Sequence, residues 1–183
     1  EELQALTAAG VRFEIVPGIT AALAAGAYAG IPLTHRDHAS AVALLTGQEN
    51  SGKSEPLMDF AALARFPGTL VIYMGVTSAR HWTQRLIDAG LPRDCPVALI
   101  CRCSWPDQQV LRCRLDELAD RLEPDSEFAS PAVAVVGSVS QLDPALDWFR
   151  RRPLFGRRVL VTRPRHQAGE LERALRDVGA DVV

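Results

Sequence analysis

Short apolar runs rich in β-branched residues alternate with helix-patterned stretches along nearly the whole chain. Residues 69–74 (Thr-Leu-Val-Ile-Tyr-Met) and 132–136 (Ala-Val-Ala-Val-Val) are the clearest, and each is flanked by Gly or Pro. Runs of this length, bounded by turn residues, read as buried strands. Strands are expected over 11–16, 40–46, 69–74, 96–102, 109–114 and 132–136. Helices are expected over 3–9, 19–29, 58–65, 77–89, 115–122 and 144–151. The 77–89 stretch places Trp82, Leu86 and Ala89 on one face. Alternation of this kind predicts an α/β fold. The 96–102 and 109–114 runs pair well as a hairpin, so the sheet is expected to be mixed rather than purely parallel. After the basic, proline-containing stretch at 150–153 the pattern restarts with a strand at 157–162, a helix at 167–178, Gly179 and a further strand. That restart is the best domain boundary in the chain.

Composition sets limits on function. With 183 residues, 48% hydrophobic and 23% charged, the chain can bury a sizeable core. The formal net charge of -2 gives no global basic field for nucleic acid. No apolar run approaches the roughly 20 residues that span a bilayer. The start, Glu1-Glu2-Leu3-Gln4, is no signal peptide, so a cytoplasmic setting is expected. Both ends read as cut within an element, which predicts a chain truncated at both ends. Cys95, Cys101, Cys103 and Cys113 are separated by five, one and nine residues. Those spacings lack the usual zinc pairs, so reduced thiols and no metal site are expected.

Residues 47–54, Gly-Gln-Glu-Asn-Ser-Gly-Lys-Ser, match the phosphate-binding pattern G-x-x-x-x-G-K-[ST]. In such a loop backbone N–H groups cradle phosphates and Lys53 would reach them. The context argues against it, because Pro56 falls where the following helix should continue. No later strand ends in an acid suited to holding Mg²⁺. A polar loop rich in Gly and Ser is the preferred reading, and a P-loop nucleotide binder is the alternative.

Five segments, in order, resemble the uroporphyrinogen-III methyltransferases of the tetrapyrrole methylase family. They are Phe13-Glu14-Ile15-Val16-Pro17-Gly18-Ile19-Thr20-Ala21-Ala22, Tyr28-Ala29-Gly30-Ile31-Pro32-Leu33-Thr34-His35-Arg36, Gly68-Thr69-Leu70-Val71-Ile72-Tyr73-Met74-Gly75, Pro96-Val97-Ala98-Leu99-Ile100 and Pro131-Ala132-Val133-Ala134-Val135-Val136-Gly137. The resemblance implies αβα layers around a mixed sheet. It also implies two α/β domains with S-adenosylmethionine in the cleft between them. Residues 1–30 would be the tail of the first domain and 38–150 the second. The acid and lysine that relatives use, and their Gly-rich loop, have no counterpart here, so no catalytic residue is carried over.

By the same resemblance, Thr20 and Ala21 stand where relatives hold the cofactor at a helix start, although Thr20 also suits a simple helix cap. Met74 would contact the adenosine part or else fill the core. Ala132 lies on the last contacting strand. Cys103 stands at a position where relatives carry the glycine that lets backbone approach the cofactor. His35 and Arg36 would face the carboxylate-rich uroporphyrinogen III or else be solvated linker charges. Arg152-Pro153-Leu154-Phe155-Gly156-Arg157-Arg158-Val159-Leu160-Val161-Thr162-Arg163-Pro164 is similar to the opening of uroporphyrinogen-III synthases. That implies a linker at 151–156 and the first strand and helix of a lyase domain over 157–183. The implied whole is a bifunctional, homodimeric protein of siroheme and cobalamin biosynthesis that makes precorrin-2.

Overall fold

The computed structural model describes residues 2–48, 58–122 and 126–183. Its centre is a five-stranded sheet of β1 (Val42–Thr46), β2 (Thr69–Tyr73), β3 (Pro96–Cys101), β4 (Gln109–Arg114) and β5 (Ala132–Val136), in the order β1-β2-β5-β3-β4. β1 and β2 run parallel, and every other pairing is antiparallel. β3 and β4 form the expected hairpin, with Leu99 opposite Leu111. The fold is therefore α/β with a mixed sheet, as the strand pattern predicts.

The two-residue period of the strands divides one apolar sequence between two cores. Leu70 and Ile72, Val97, Leu99 and Cys101, and Ala134 and Val136 face one layer. That layer holds α3 (Phe60–Ala64), α4 (Ala79–Asp88) and α5 (Leu118–Arg121), with Phe60, Trp82, Leu86 and Leu118 buried against the sheet. Full burial of Trp82 and Leu86 stabilises the fold by roughly 1.5–3 kcal/mol each. The Trp82 indole N–H donates to the Gly75 carbonyl at 2.8 Å, so its one polar group is also satisfied. Val71, Ala98, Ile100, Val133 and Val135 face the opposite layer, against α2 (Ala21–Ala29) and a 3-10 turn at Ser138–Gln141.

α2 lies close on the sheet because its contacting residues are small. Ala22, Ala25 and Ala29 are completely buried, and they recur at the spacing of one helical face. Gly30 ends the helix with φ 65°, and a Cβ there would lie 2.1 Å from the Leu146 carbonyl oxygen. Only glycine meets both demands.

Two expectations fail. Residues 11–16 join no ladder. Val11, Phe13, Ile15 and Val16 are 45–81% exposed, beyond α1 (Glu2–Ala8). A strand needs a neighbour to take up its N–H and C=O groups, and none of the described strands lies beside it. The helix expected over 144–151 is a single 3-10 turn, Pro144–Leu146. There Trp148 and Phe149 leave the helical path to pack on Tyr28, and the Trp148 indole N–H donates to the Ala27 carbonyl at 2.9 Å.

The restart beyond residue 156 forms a separate βαβ unit. β6 (Arg158–Val159) and β7 (Asp181–Val182) are parallel, with α6 (Arg165–Asp177) as the crossover. It is tied to the preceding stretch by the Leu154 N–H, which donates to the Val178 carbonyl at 2.9 Å, and by Arg152, which donates to the Arg176 carbonyl at 3.2 Å, beside an aromatic cluster of Tyr28, Trp148, Phe149 and Phe155. The Arg152 guanidinium sits 4.6 Å from the Phe149 ring centroid.

Candidate functional site

A cavity of about 430 Å³ opens at the carboxyl ends of β2 and β3 and the amino end of β5. Ala21, at the start of α2, forms one side. Tyr73 and Met74 contribute from the end of β2, Ile100, Arg102, Cys103 and Trp105 from β3 and the loop after it, and residues 130–133 from the β5 end. Four sites expected from sequence, Ala21, Met74, Cys103 and Ala132, thus converge on one space. They come from four separate stretches of chain. A largely apolar space of this size with a few polar groups is a typical small-molecule site.

Thr20 does not cap its helix through its side chain. Its hydroxyl instead shares a hydrogen bond with the Tyr73 hydroxyl. The same Tyr73 oxygen accepts the Ala22 N–H at 3.1 Å, one of the donors a helix start leaves open. Met74 is 60% exposed at the mouth of the cavity, so core filling is not its role. Its φ is 51°, a left-handed conformation that costs a non-glycine residue about 1–3 kcal/mol.

Cys103 lines the cavity with an ordinary backbone. The left-handed conformations fall on its neighbours, Arg102 at φ 48° and Ser104 at φ 69°. The loop therefore turns at residues 102 and 104 and not at Cys103 itself. Burial raises its thiol pKa, so the group is a poor nucleophile at neutral pH. The four cysteines are free thiols. Cys101 belongs to the core layer beneath α4, while Cys103 packs against the opposite layer.

Electrostatically the cavity is quiet. No carboxylate, histidine or lysine lines it among the described residues. The Arg102 guanidinium donates to Asp107 at 2.6 Å and lies 4.7 Å over the Trp105 ring, so its charge is balanced locally. The 102–108 loop is held from beneath by Gln108, which is 2% exposed. Its amide oxygen accepts the Ser104 N–H at 2.8 Å, and its amide nitrogen donates to the Tyr28 carbonyl at 3.2 Å.

His35 and Arg36 are not brought to the cavity. They lie in a turn closed by paired bonds between His35 and Ala39, just before β1 begins. The Ser138 hydroxyl, beyond the end of β5, donates to the His38 carbonyl at 3.3 Å. The turn therefore sits at the end of the strands opposite the cavity. Arg36 is exposed there, and the His35 ring nitrogen accepts the Asp37 N–H at 3.2 Å. Of the phosphate-loop pattern, residues 49–54 lie outside the described residues. The first glycine, Gly47, donates its N–H to the Tyr73 carbonyl at 2.6 Å, so that donor is already used within the fold.

Sequence reasoning missed Tyr73, Arg102 and Trp105. Tyr73 carried a usable signal: a tyrosine at the end of an otherwise apolar strand has a hydroxyl that must find a partner. Arg102 and Trp105 carried none, since a surface Arg and Trp are common.

Comparison with known proteins identifies the family. The family model for tetrapyrrole (corrin/porphyrin) methylases matches residues 1–119. The chain belongs to that family. It is 38% identical over all 183 residues to the uroporphyrinogen-III C-methyltransferase of Bacillus subtilis strain 168, covering 38% of that protein. It is also 38% identical over 183 residues to the porphyrin biosynthesis protein HemD of Ruminiclostridium josui, covering 36% of it. The chain thus spans little more than a third of the length of these relatives. Among solved structures it resembles uroporphyrin-III C-methyl transferase from Thermus thermophilus complexed with S-adenosyl homocysteine. The TM-score is 0.64 and the identity 32%, covering 78% of this chain and 60% of that one.

Proposed function

We propose that the cavity is one wall of an S-adenosylmethionine site. On this reading the protein that carries this chain methylates pyrrole carbons of uroporphyrinogen III, giving precorrin-2 for siroheme and cobalamin. The observation that carries the reading is the convergence on one cavity of Ala21, Met74 and Ala132, each from a different family-like segment, with Cys103, which stands where relatives carry a glycine. The family match and the structural relative complexed with S-adenosyl homocysteine support it.

The residues present suit such a ligand. Apolar walls from Ala21, Ile100 and Ala132, with Met74 and Trp105 at the rim, fit an adenosyl group. S-adenosylmethionine, when bound, supplies an electrophilic methyl on a cationic sulfur. The pairing of Arg102 with Asp107 balances the one cation that lines the cavity among the described residues, which would suit a cationic ligand. The chain's own contribution is orientation, since methyl transfer depends on holding the reacting atoms in line. His35 and Arg36, at the far end of the strands, form no part of this donor site. Their assignment to the tetrapyrrole is a separate proposal, tested by the KM for uroporphyrinogen III in Arg36→Ala.

We further propose that the βαβ unit at 157–183 opens a uroporphyrinogen-III synthase domain. Its support is its separation from the five-stranded sheet and its similarity to the opening of those enzymes. Calorimetric titration of the full-length gene product with S-adenosylhomocysteine tests the donor site. Binding in the wild type, lost in the cavity-filling Ala132→Trp, is expected. No binding by the wild type would sink the reading.

A further inference from the structure

We infer that Tyr73 is a positioning residue for the methyl donor, a latch that sets α2 and Met74 relative to each other across the cavity. The inference rests on the donor-site reading above and goes beyond it, because Tyr73 acts through the two walls it joins.

The argument begins with the face α2 presents to the sheet. Ala22, Ala25 and Ala29 are fully buried but short. Methyl groups set how closely a helix approaches, yet they interlock little along its axis, so they define its position along the sheet weakly. Polar contacts must supply that register. At the carboxyl end of α2 the structure has several. The Ala27 carbonyl takes the Trp148 indole, the Tyr28 carbonyl takes Gln108, and Gly30 abuts Leu146. At the amino end, the two hydrogen bonds to the rest of the fold among the described residues both go to Tyr73: the Thr20 hydroxyl and the Ala22 N–H. These partners are 53 and 51 residues from Tyr73 in sequence.

Tyr73 is also the last residue of β2 and leads directly into Met74, whose left-handed φ of 51° aims its side chain at the cavity mouth. One residue therefore fixes both walls. Its hydroxyl holds the first turn of α2, where Ala21 lines the cavity, and its backbone launches Met74. The Tyr73 carbonyl additionally accepts the Gly47 N–H at 2.6 Å, which anchors that end of the strand. The phenol ring packs against the α2 layer, so removing the oxygen alone leaves the packing in place.

The test uses the full-length protein and S-adenosylhomocysteine as probe. Tyr73→Phe, which removes both hydrogen bonds, should raise the Kd about five- to hundredfold, the range for losing two neutral hydrogen bonds. The KM for S-adenosylmethionine should rise with it, while the KM for uroporphyrinogen III stays at the wild-type value. Far-UV circular dichroism should be unchanged. Thr20→Val, which removes one of the two bonds, should weaken binding less, about three- to tenfold, and the double variant should be no weaker than Tyr73→Phe, as for two groups that act as a unit. Thr20→Ser, which keeps a hydroxyl, should bind as the wild type does. Wild-type affinity in Tyr73→Phe, or fully additive losses in the double variant, would overturn the latch and leave the donor site standing. Failure of the wild type to bind the probe would overturn the donor-site reading and the latch with it.

Discussion

Gly30 carries two constraints at once, a φ of 65° and contact with the Leu146 carbonyl. Gly30→Ala is expected to lower stability by roughly 3 kcal/mol, combining left-handed strain with a backbone clash; a thermal melt reads this directly. The cysteines set a second expectation. Burial pushes the thiols of Cys95, Cys101 and Cys113 up to about 11 from 9.0, with the nearby acid Asp94 adding to the effect at Cys95. The folded state therefore holds these protons after the unfolded chain has begun to lose them. Between about pH 9 and 11 the unfolded state binds fewer protons, so stability falls as pH rises through that window. Melting temperatures should be insensitive to these thiols below pH 9 and decline above it, and alanine at all three positions should flatten the decline. Neither Gly30 nor the cysteines announced these roles in sequence. A glycine before Ile-Pro reads as a helix stop, and only the return of residues 144–147 shows what lies against it.

At the scale of elements, the loop after β3 joins three parts of the molecule. Arg102 and Trp105 line the cavity, and Arg102, Trp105, Pro106 and Asp107 also line a groove against Arg158 and Asp181 of the βαβ unit. Gln108 ties the loop to α2. Gln108→Ala leaves the Ser104 N–H and the Tyr28 carbonyl without this partner, so a loss of about 1–3 kcal/mol is expected. S-adenosylhomocysteine binding should weaken as the 102–108 loop loosens. Chemical denaturation and titration of the same variant measure the two effects. Strand positions were readable here because two-residue periodicity and flanking Gly or Pro are local signals. Residues 69–74, 96–102 and 132–136 each differ from the observed strand by no more than one residue. The 11–16 and 144–151 expectations failed for a non-local reason. The first has no strand beside it to pair with, and the second is diverted by aromatic packing on Tyr28.

For the whole molecule, the decisive quantity is how much of the proposed donor site this chain supplies. No carboxylate, histidine or lysine lines the cavity among the described residues, and the chain spans little more than a third of its curated relatives. Residues 1–183 alone are therefore expected to transfer no methyl group from labelled S-adenosylmethionine to uroporphyrinogen III; turnover by the isolated chain would sink that expectation. No helix among the described residues is long and apolar enough to cross a membrane.

Alternating apolar runs determined the α/β class and the β3–β4 hairpin, because burial and turn chemistry act over a few residues. Family-like segments singled out Ala21, Met74 and Ala132 one at a time, and a departure from the family pattern singled out Cys103. The tertiary structure alone decided that these four share a cavity while His35 and Arg36 stand at the other end of the strands. It also decided that the Thr20 hydroxyl bonds to Tyr73 rather than capping its own helix. Those outcomes depend on strand order and on contacts between residues some 50 positions apart, which no local pattern encodes.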